Sequence, residues 1–251
     1  MKYIHKSIFI LFFSGLFALT GNELVMQMEL KPNPNNAKAN MNMTLKNKKG
    51  KIRTSTIHSI IKNNGEKQII WFLSPADDKG IAFLKIEHEE KNDEMQIWLP
   101  AFKKTKRISS KKRSDSFMGS DMSYEDMSTR KKEHYNFNII KSEKYNDIKC
   151  HVLESIPKKH IRSEYSKHHT WIDASLLIPL KENSYDKNDI ILKEKTFSYI
   201  EINSFQILKE IHVKNIQKNH STKLIFEKIK LNTDIDDNIF HERHLKYLPK
   251  L

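Results

Sequence analysis

Residues Gln68–Pro100, QIIWFLSPADDKGIAFLKIEHEEKNDEMQIWLP, hold three short apolar runs separated by two polar stretches rich in turn formers. QIIWFL, IAFLKIE and MQIWLP are too short for amphipathic helices and are rich in Ile, Phe and Trp, the composition of strands. Their close spacing predicts a meander of antiparallel strands rather than strands alternating with helices. The runs are apolar on both parities: Ile69, Trp71 and Leu73 oppose Ile70 and Phe72, and Ile81 and Phe83 oppose Leu84 and Ile86. A sheet with one solvated face does not need that. Either both faces are covered by protein, or one of them covers an apolar cavity.

The same rhythm extends in both directions. Upstream, ANMNMTL puts Met41, Met43 and Leu45 on one face and TIHSIIK does the same with Ile57 and Ile61, with turns at NKKGK and Lys62–Lys67. NELVMQMEL (Asn22–Leu30) reads as one short helix capped by Asn22 and stopped by Pro32 and Pro34. Downstream, YNFNII, CHVLES, HHTWID, ILKEK, ILKEIHVKN and TKLIFEKIKL read as further strands. Turns are expected at Tyr145–Asp147, Asn183–Asp189 and Gln217–Ser221, and the segment after Leu231 reads as a polar loop with a short terminal piece. In the last strand, Leu224 and Phe226 are opposite in parity to Ile225 and Ile229.

The chain has 251 residues and a net charge of +13, with 38% hydrophobic and 30% charged residues, so a single folded domain with a heavily solvated exterior is expected. Lys2 and Lys6 followed by the apolar Ser7–Leu19 run give residues 1–20 the form of a cleavable secretory signal, the run being short for a membrane span. Residues 21–251 would then be one exported domain. Cys150 is the only cysteine, so no internal disulfide can brace it.

Patterns that could carry chemistry fail on spacing. The histidines of HERH (His241 to His244) are three apart where a zinc-protease motif needs four, and the adjacent His168 and His169 point to opposite faces of a strand. A calcium-loop beginning at Asn232 has Asp237 where Gly is required and Arg243 where Glu is required. Cys150 sits in an apolar strand as a buried thiol. No catalytic group, metal or cofactor is expected, and the chain is read as non-enzymatic.

The densest segment is Trp98–Met127, WLPAFKKTKRISSKKRSDSFMGSDMSYEDM. Lys103 to Arg113 contains seven Lys or Arg residues and no interleaved aromatic, which argues against stacking of nucleic-acid bases. An acidic partner or a membrane surface fits better, and a solvated loop is the plainer alternative.

WLPAFKKTKRIS followed by SFMGSDMSYEDM resembles the outer-membrane lipoprotein-sorting protein family, LolA-like periplasmic carriers often associated with RND- or MMPL-type exporters. FLSPADDKGIAFL, the pattern of Tyr165, Lys167, Trp171, Ile172 and Asp173, and KNHSTKLIFEKIKLN are similar to the family as well, so the likeness spans most of residues 21–251. It implies a mainly β fold, a curved antiparallel sheet forming an incomplete β-barrel with a helical plug. It also implies a periplasmic location and a hydrophobic cavity for acyl chains of lipoproteins or lipids. The candidate cavity residues are Trp71, Phe83, Leu84, Trp98, Phe117 and Met118. Lys103, Lys104, Lys106 and Arg107 are candidates for contact with a headgroup or a partner such as an inner-membrane exporter, with transient contact to a membrane surface. Gly80, Pro100, Gly119, Ser120, Asp121, Tyr124, Glu125 and Asp126 are expected to shape and lock the motif. The acids would accept backbone N–H groups or pair with the basic run.

Overall fold

The computed structural model describes residues 19–249; most of the 1–20 segment read as a secretory signal lies outside them. Among the described residues one α-helix, α1 (Gly21–Glu29), precedes thirteen strands, with short 3-10 turns in the loops. Thr20, rather than Asn22, caps it: the Thr20 hydroxyl accepts from the Glu23 N–H and the Glu23 carboxylate accepts from the Thr20 N–H, a reciprocal capping box.

The strands are β1 (Asn36–Lys46), β2 (Ile52–Lys62), β3 (Lys67–Ser74), β4 (Ala82–Ile86), β5 (Glu94–Leu99), β6 (Lys104–Arg107), β7 (Tyr135–Tyr145), β8 (Ile148–Pro157), β9 (Lys167–Asp173), β10 (Pro179–Tyr185), β11 (Ile191–Ile202), β12 (Phe205–Asn215) and β13 (His220–Leu231). All pairings are antiparallel, in the order β6-β5-β4-β3-β2-β1-β13-β12-β11-β10-β9-β8-β7. The chain enters near the middle at β1, meanders to one edge at β6, crosses to the other edge at β7, and meanders back until β13 pairs with β1. The sheet does not close; it is an open, curved half-barrel.

With β6 and β7 at opposite edges of the sheet, residues 108–134 must carry the chain from one edge to the other. We call them the strap. Over β1–β5 the strap covers the inner face, where Phe117 and Tyr124 pack with Met41, Met43, Ile57, Ile70, Phe72, Phe83 and Met95. At the other end, α1 covers the inner face of β7–β9 through Leu24, which is fully buried with Tyr135, Phe137, Leu153 and Ile172. The outer face of β2–β4 is covered too. Ile235, Phe240 and Leu245, from the segment read as a polar loop, pack on Ile60, Ile69, Trp71, Ala82 and Leu84. The doubly apolar strands therefore meet protein on both sides.

Two polar segments turn out to be strands. Lys104–Arg107, inside the basic run, pairs with β5 and forms an edge. Pro179–Tyr185 overlaps the expected Asn183–Asp189 turn and is the inner strand β10, because its cavity-side residues Glu182 and Ser184 are buried in hydrogen bonds rather than in apolar contacts. In β13, a bulge at Lys228 (φ 49°) shifts the register with β1 and brings Ile229 to the same cavity as Leu224 and Phe226, undoing the simple parity.

Candidate functional site

The motif of the strap is a hairpin. Ser120 donates its N–H to the Phe117 carbonyl (2.9 Å) and Phe117 donates to the Met122 carbonyl (2.7 Å), and Ser116 bridges to Ser123. The two central residues, Met118 and Gly119, both have positive φ (51° and 76°), the backbone of a tight mirror-image turn that favours glycine. Gly80 faces Pro100 at close range: a Cβ on Gly80 would stand 3.3 Å from the proline ring.

The motif's acids then fasten the hairpin across the sheet. Asp121 accepts from the Thr222 hydroxyl and the His220 ring, both at 2.7 Å, while its own N–H donates to Thr222 Oγ1 at 2.8 Å. Glu125 accepts from the Ser163 hydroxyl and the Glu164 N–H, and burial pushes its carboxyl above the usual range. Asp126 accepts from Lys195 (2.5 Å), Lys193 (2.9 Å), the Ser123 N–H (2.8 Å) and the Tyr165 hydroxyl (2.9 Å). Burial alone would raise its pKa, but Lys195 and Lys193 hold it well below the usual carboxylate range. These acids do not pair with the basic run of the strap. Asp126 takes its cationic partners from β11, on the far half of the sheet, and Asp121 contacts His220 of β13.

The β11 lysines belong to a larger buried network. Lys195 also binds Glu182 (3.0 Å), which holds the Arg130 guanidinium in a two-pronged contact at 2.6 and 2.7 Å and accepts from Thr170 at 3.0 Å. Burial opposes ionisation here, and Arg130 and Lys195 outweigh it, so Glu182 is held well below its ordinary pKa. Sequence reading missed Arg130, Glu182, Lys193 and Lys195. The available signal was polar residues at period two on both segments, Glu182 and Ser184 on one and Lys193 and Lys195 on the other, which pair as Glu182 with Lys195 and Ser184 with Lys193.

Between strap and sheet lies an apolar cavity of about 370 Å³. Its walls are Ala37, Ala39, Met41 and Met43 of β1, Ile57 and Ile61 of β2, Ile70 of β3, Ile207, Leu208 and Ile211 of β12, and Leu224, Phe226 and Ile229 of β13. The strap adds Phe117, Met122 and Met127, and Asp126 reaches the same wall. Asn33, Pro34, Asn64 and Gly65 stand at one end. A volume of this size is within the range of small-molecule sites, and each CH₂ moved into it from water stabilises by roughly 0.8 kcal/mol.

The expected cavity residues divide by parity. Phe117 lines the cavity. Phe83 lies on the same inner face but beneath the strap, edge-on to Phe117 with ring centroids 5.2 Å apart, and Met118 packs on the same cluster. Trp71, Leu84 and Trp98 do not reach it. They occupy the alternate positions of β3, β4 and β5 and pack on the outer face with the C-terminal segment. Tyr124 joins the inner cluster, edge-on to Phe117 at 5.8 Å.

Lys103, Lys104, Lys106 and Arg107 are away from the cavity wall, exposed at the β5–β6 turn and along the free edge of β6. Lys106 lies 5.6 Å over the exposed Phe102 ring, and none of the four has a carboxylate partner among the described residues. Only Arg113 leaves the run to bind Asp93 at 2.5 Å. His168 and His169 do point to opposite faces: His168 contacts Ser184 at 2.9 Å, and His169 contacts Glu154 at 3.1 Å. Cys150 is fully buried, and burial raises its thiol pKa.

The open antiparallel half-barrel is a LolA-like fold. A LolA superfamily protein from Nitrosomonas europaea superposes with a TM-score of 0.71 at 19% identity, over 90% of this chain and all of that one. An outer membrane lipoprotein-sorting protein domain from Vibrio parahaemolyticus is similar at 33% identity and a TM-score of 0.85, covering 90% of this chain and 98% of that chain. A DUF1329 family protein from Desulfovibrio piger gives 26% identity and a TM-score of 0.84, over 90% and 97%. A family profile described as an uncharacterized protein matches residues 64–247, and no curated protein matches. The chain belongs to the outer-membrane lipoprotein-sorting protein family.

Proposed function

We propose that this protein is a periplasmic, non-enzymatic carrier. It takes the acyl chains of lipoproteins or lipids into the inner cavity and passes them towards the outer membrane, with residues 1–20 as its secretory signal and 21–251 as a single carrier domain. The observation that carries the reading is the apolar cavity of about 370 Å³ between the sheet and the strap. Two of its walls, β2 and β3, already bury their outer face under the C-terminal segment, which leaves their inner face to receive a chain. The family relationship to a lipoprotein-sorting domain supports the same reading. Native mass spectrometry of gently purified protein, followed by lipid extraction, is expected to find a co-purifying acylated molecule; repeated recovery of empty protein would sink the proposal.

One observation favours a second reading, an adaptor that docks on an inner-membrane RND- or MMPL-type exporter and binds no lipid itself. The free edge of β6 presents Lys103, Lys104, Lys106 and Arg107 without carboxylate partners among the described residues. A salt-sensitive pull-down of an exporter's periplasmic domain, lost when these four become Gln, would favour it. Lipid recovered from the purified protein would decide against it.

A further inference from the structure

The strap separates the apolar cavity from a second chamber of about 610 Å³, and Asp126 stands in the wall of both. This second chamber is polar. Its walls come from the strap, the 89–93 loop, Ile161, Arg162, Tyr165, Tyr135 of β7 and His168 of β9.

Its ionic groups are largely spoken for. Arg113 binds Asp93, Lys131 binds Asp93 at 3.4 Å, Arg130 binds Glu182 and Asp126 binds Lys193 and Lys195. Glu89, Glu90 and Arg162 also line the chamber but are exposed and solvated, and the paired charges deeper in the wall have little attraction left for an ionic ligand, whose own dehydration would go uncompensated.

The unfilled hydrogen-bonding capacity is neutral. His168 is 1% exposed and its Nε2 has no partner among the described residues. Ser184 Oγ, which contacts His168 Nδ1 at 2.9 Å, has Glu182 as its own acceptor at 3.3 Å. The single hydroxyl proton goes to the carboxylate, so Nδ1–H donates to Ser184 and Nε2 is left as a lone-pair acceptor. Burial and the nearby Arg130 favour this neutral ring. Tyr135 stands in the same wall, and its hydroxyl can donate or accept. An acceptor beside a donor–acceptor suits hydroxyl groups.

We propose that the polar chamber receives a neutral, hydroxyl-bearing head of the cargo, of glycerol or sugar type, while the acyl chain occupies the apolar cavity across Asp126. This rests on the carrier reading above and adds the chemistry of the head.

The test compares probes with one twelve-carbon chain and different heads: 1-monolauroylglycerol, dodecanoate and dodecylphosphocholine, titrated below their aggregation limits by calorimetry. Monolauroylglycerol is expected to bind about tenfold more tightly than either charged probe, the difference made by one to two well-placed hydrogen bonds. Tyr135→Phe and His168→Phe, each checked for an unchanged fold by circular dichroism, are expected to narrow that ratio to about twofold. Equal affinity for all three probes, a preference for a charged head, or a ratio that both folded variants keep would overturn the head assignment and leave the carrier reading standing. Binding of none of the three would overturn the carrier reading and the head assignment with it.

Discussion

Replacing Asp126 by Asn removes one negative charge from between two ammonium groups and leaves the size of the side chain unchanged. The Asp126 side chain is 2% exposed, and Lys193 and Lys195 are 5% and 8% exposed. Neither lysine is left wholly unpaired: Lys193 keeps Glu164 at 3.2 Å and Lys195 keeps Glu182 at 3.0 Å. Removing one member of a buried ion pair typically costs about 3–5 kcal/mol, and the residual partners place this case near the lower end. For a chain of this size, about 3 kcal/mol corresponds to a fall in Tm of roughly 6–12 °C. The pH dependence follows from the depressed carboxyl. Its contribution is fully present above the unfolded carboxylate pKa, about 3.9, and is lost only as pH falls through the still lower folded value. The gap between wild type and D126N is therefore expected to stay constant from about pH 7 down to about pH 4 and to close only in stronger acid. Thermal unfolding followed by circular dichroism across that range tests both statements. A shift below about 2 °C at neutral pH would refute the claim that Asp126 fastens the strap, since so small a shift is typical of an exposed ion pair. A gap that closes between about pH 7 and 5 would assign the effect to a histidine instead.

Two further outcomes follow from side-chain placement. Met43→Asp puts a charge in the wall of the apolar cavity and is expected to abolish recovery of co-purifying lipid, whereas Trp98→Asp strikes the outer cluster under the C-terminal segment and is expected to lower Tm by several degrees with loading retained in the folded fraction; the reverse pattern in lipid extraction would place the cargo on the wrong face. Gly21→Ala would place a methyl group 2.7 Å from the Asn138 nitrogen and against the Phe137 carbonyl, so α1 is expected to lift from β7, read as faster amide exchange in residues 21–29, and unchanged exchange there would contradict the packing.

The strands, the antiparallel order of hairpins and the family are legible in the amino-acid order, because period-two burial, turn formers and the Ser116–Asp126 motif are local properties. Strand faces are legible where the chain is regular: Met41, Met43 and Ile57 share the inner face as their spacing requires. Where a bulge intervenes, as at Lys228, parity fails, and nothing local marks the extra residue. The Trp71, Leu84 and Trp98 positions show the other limit. Their alternation with Ile70 and Phe83 is readable, but which of two apolar faces bounds the cavity depends on what covers each. That is set by the strap and by Ile235, Phe240 and Leu245, which are distant in sequence. The end of β10, from Asn183 to Tyr185, reads as a turn because a strand that buries Glu182 and Ser184 looks like surface until Arg130 and Lys195 are brought to it. The two chambers and the charged lock between them exist only once the open sheet places β11 beneath the strap. They are products of contacts between residues some seventy positions apart, and no local pattern encodes them.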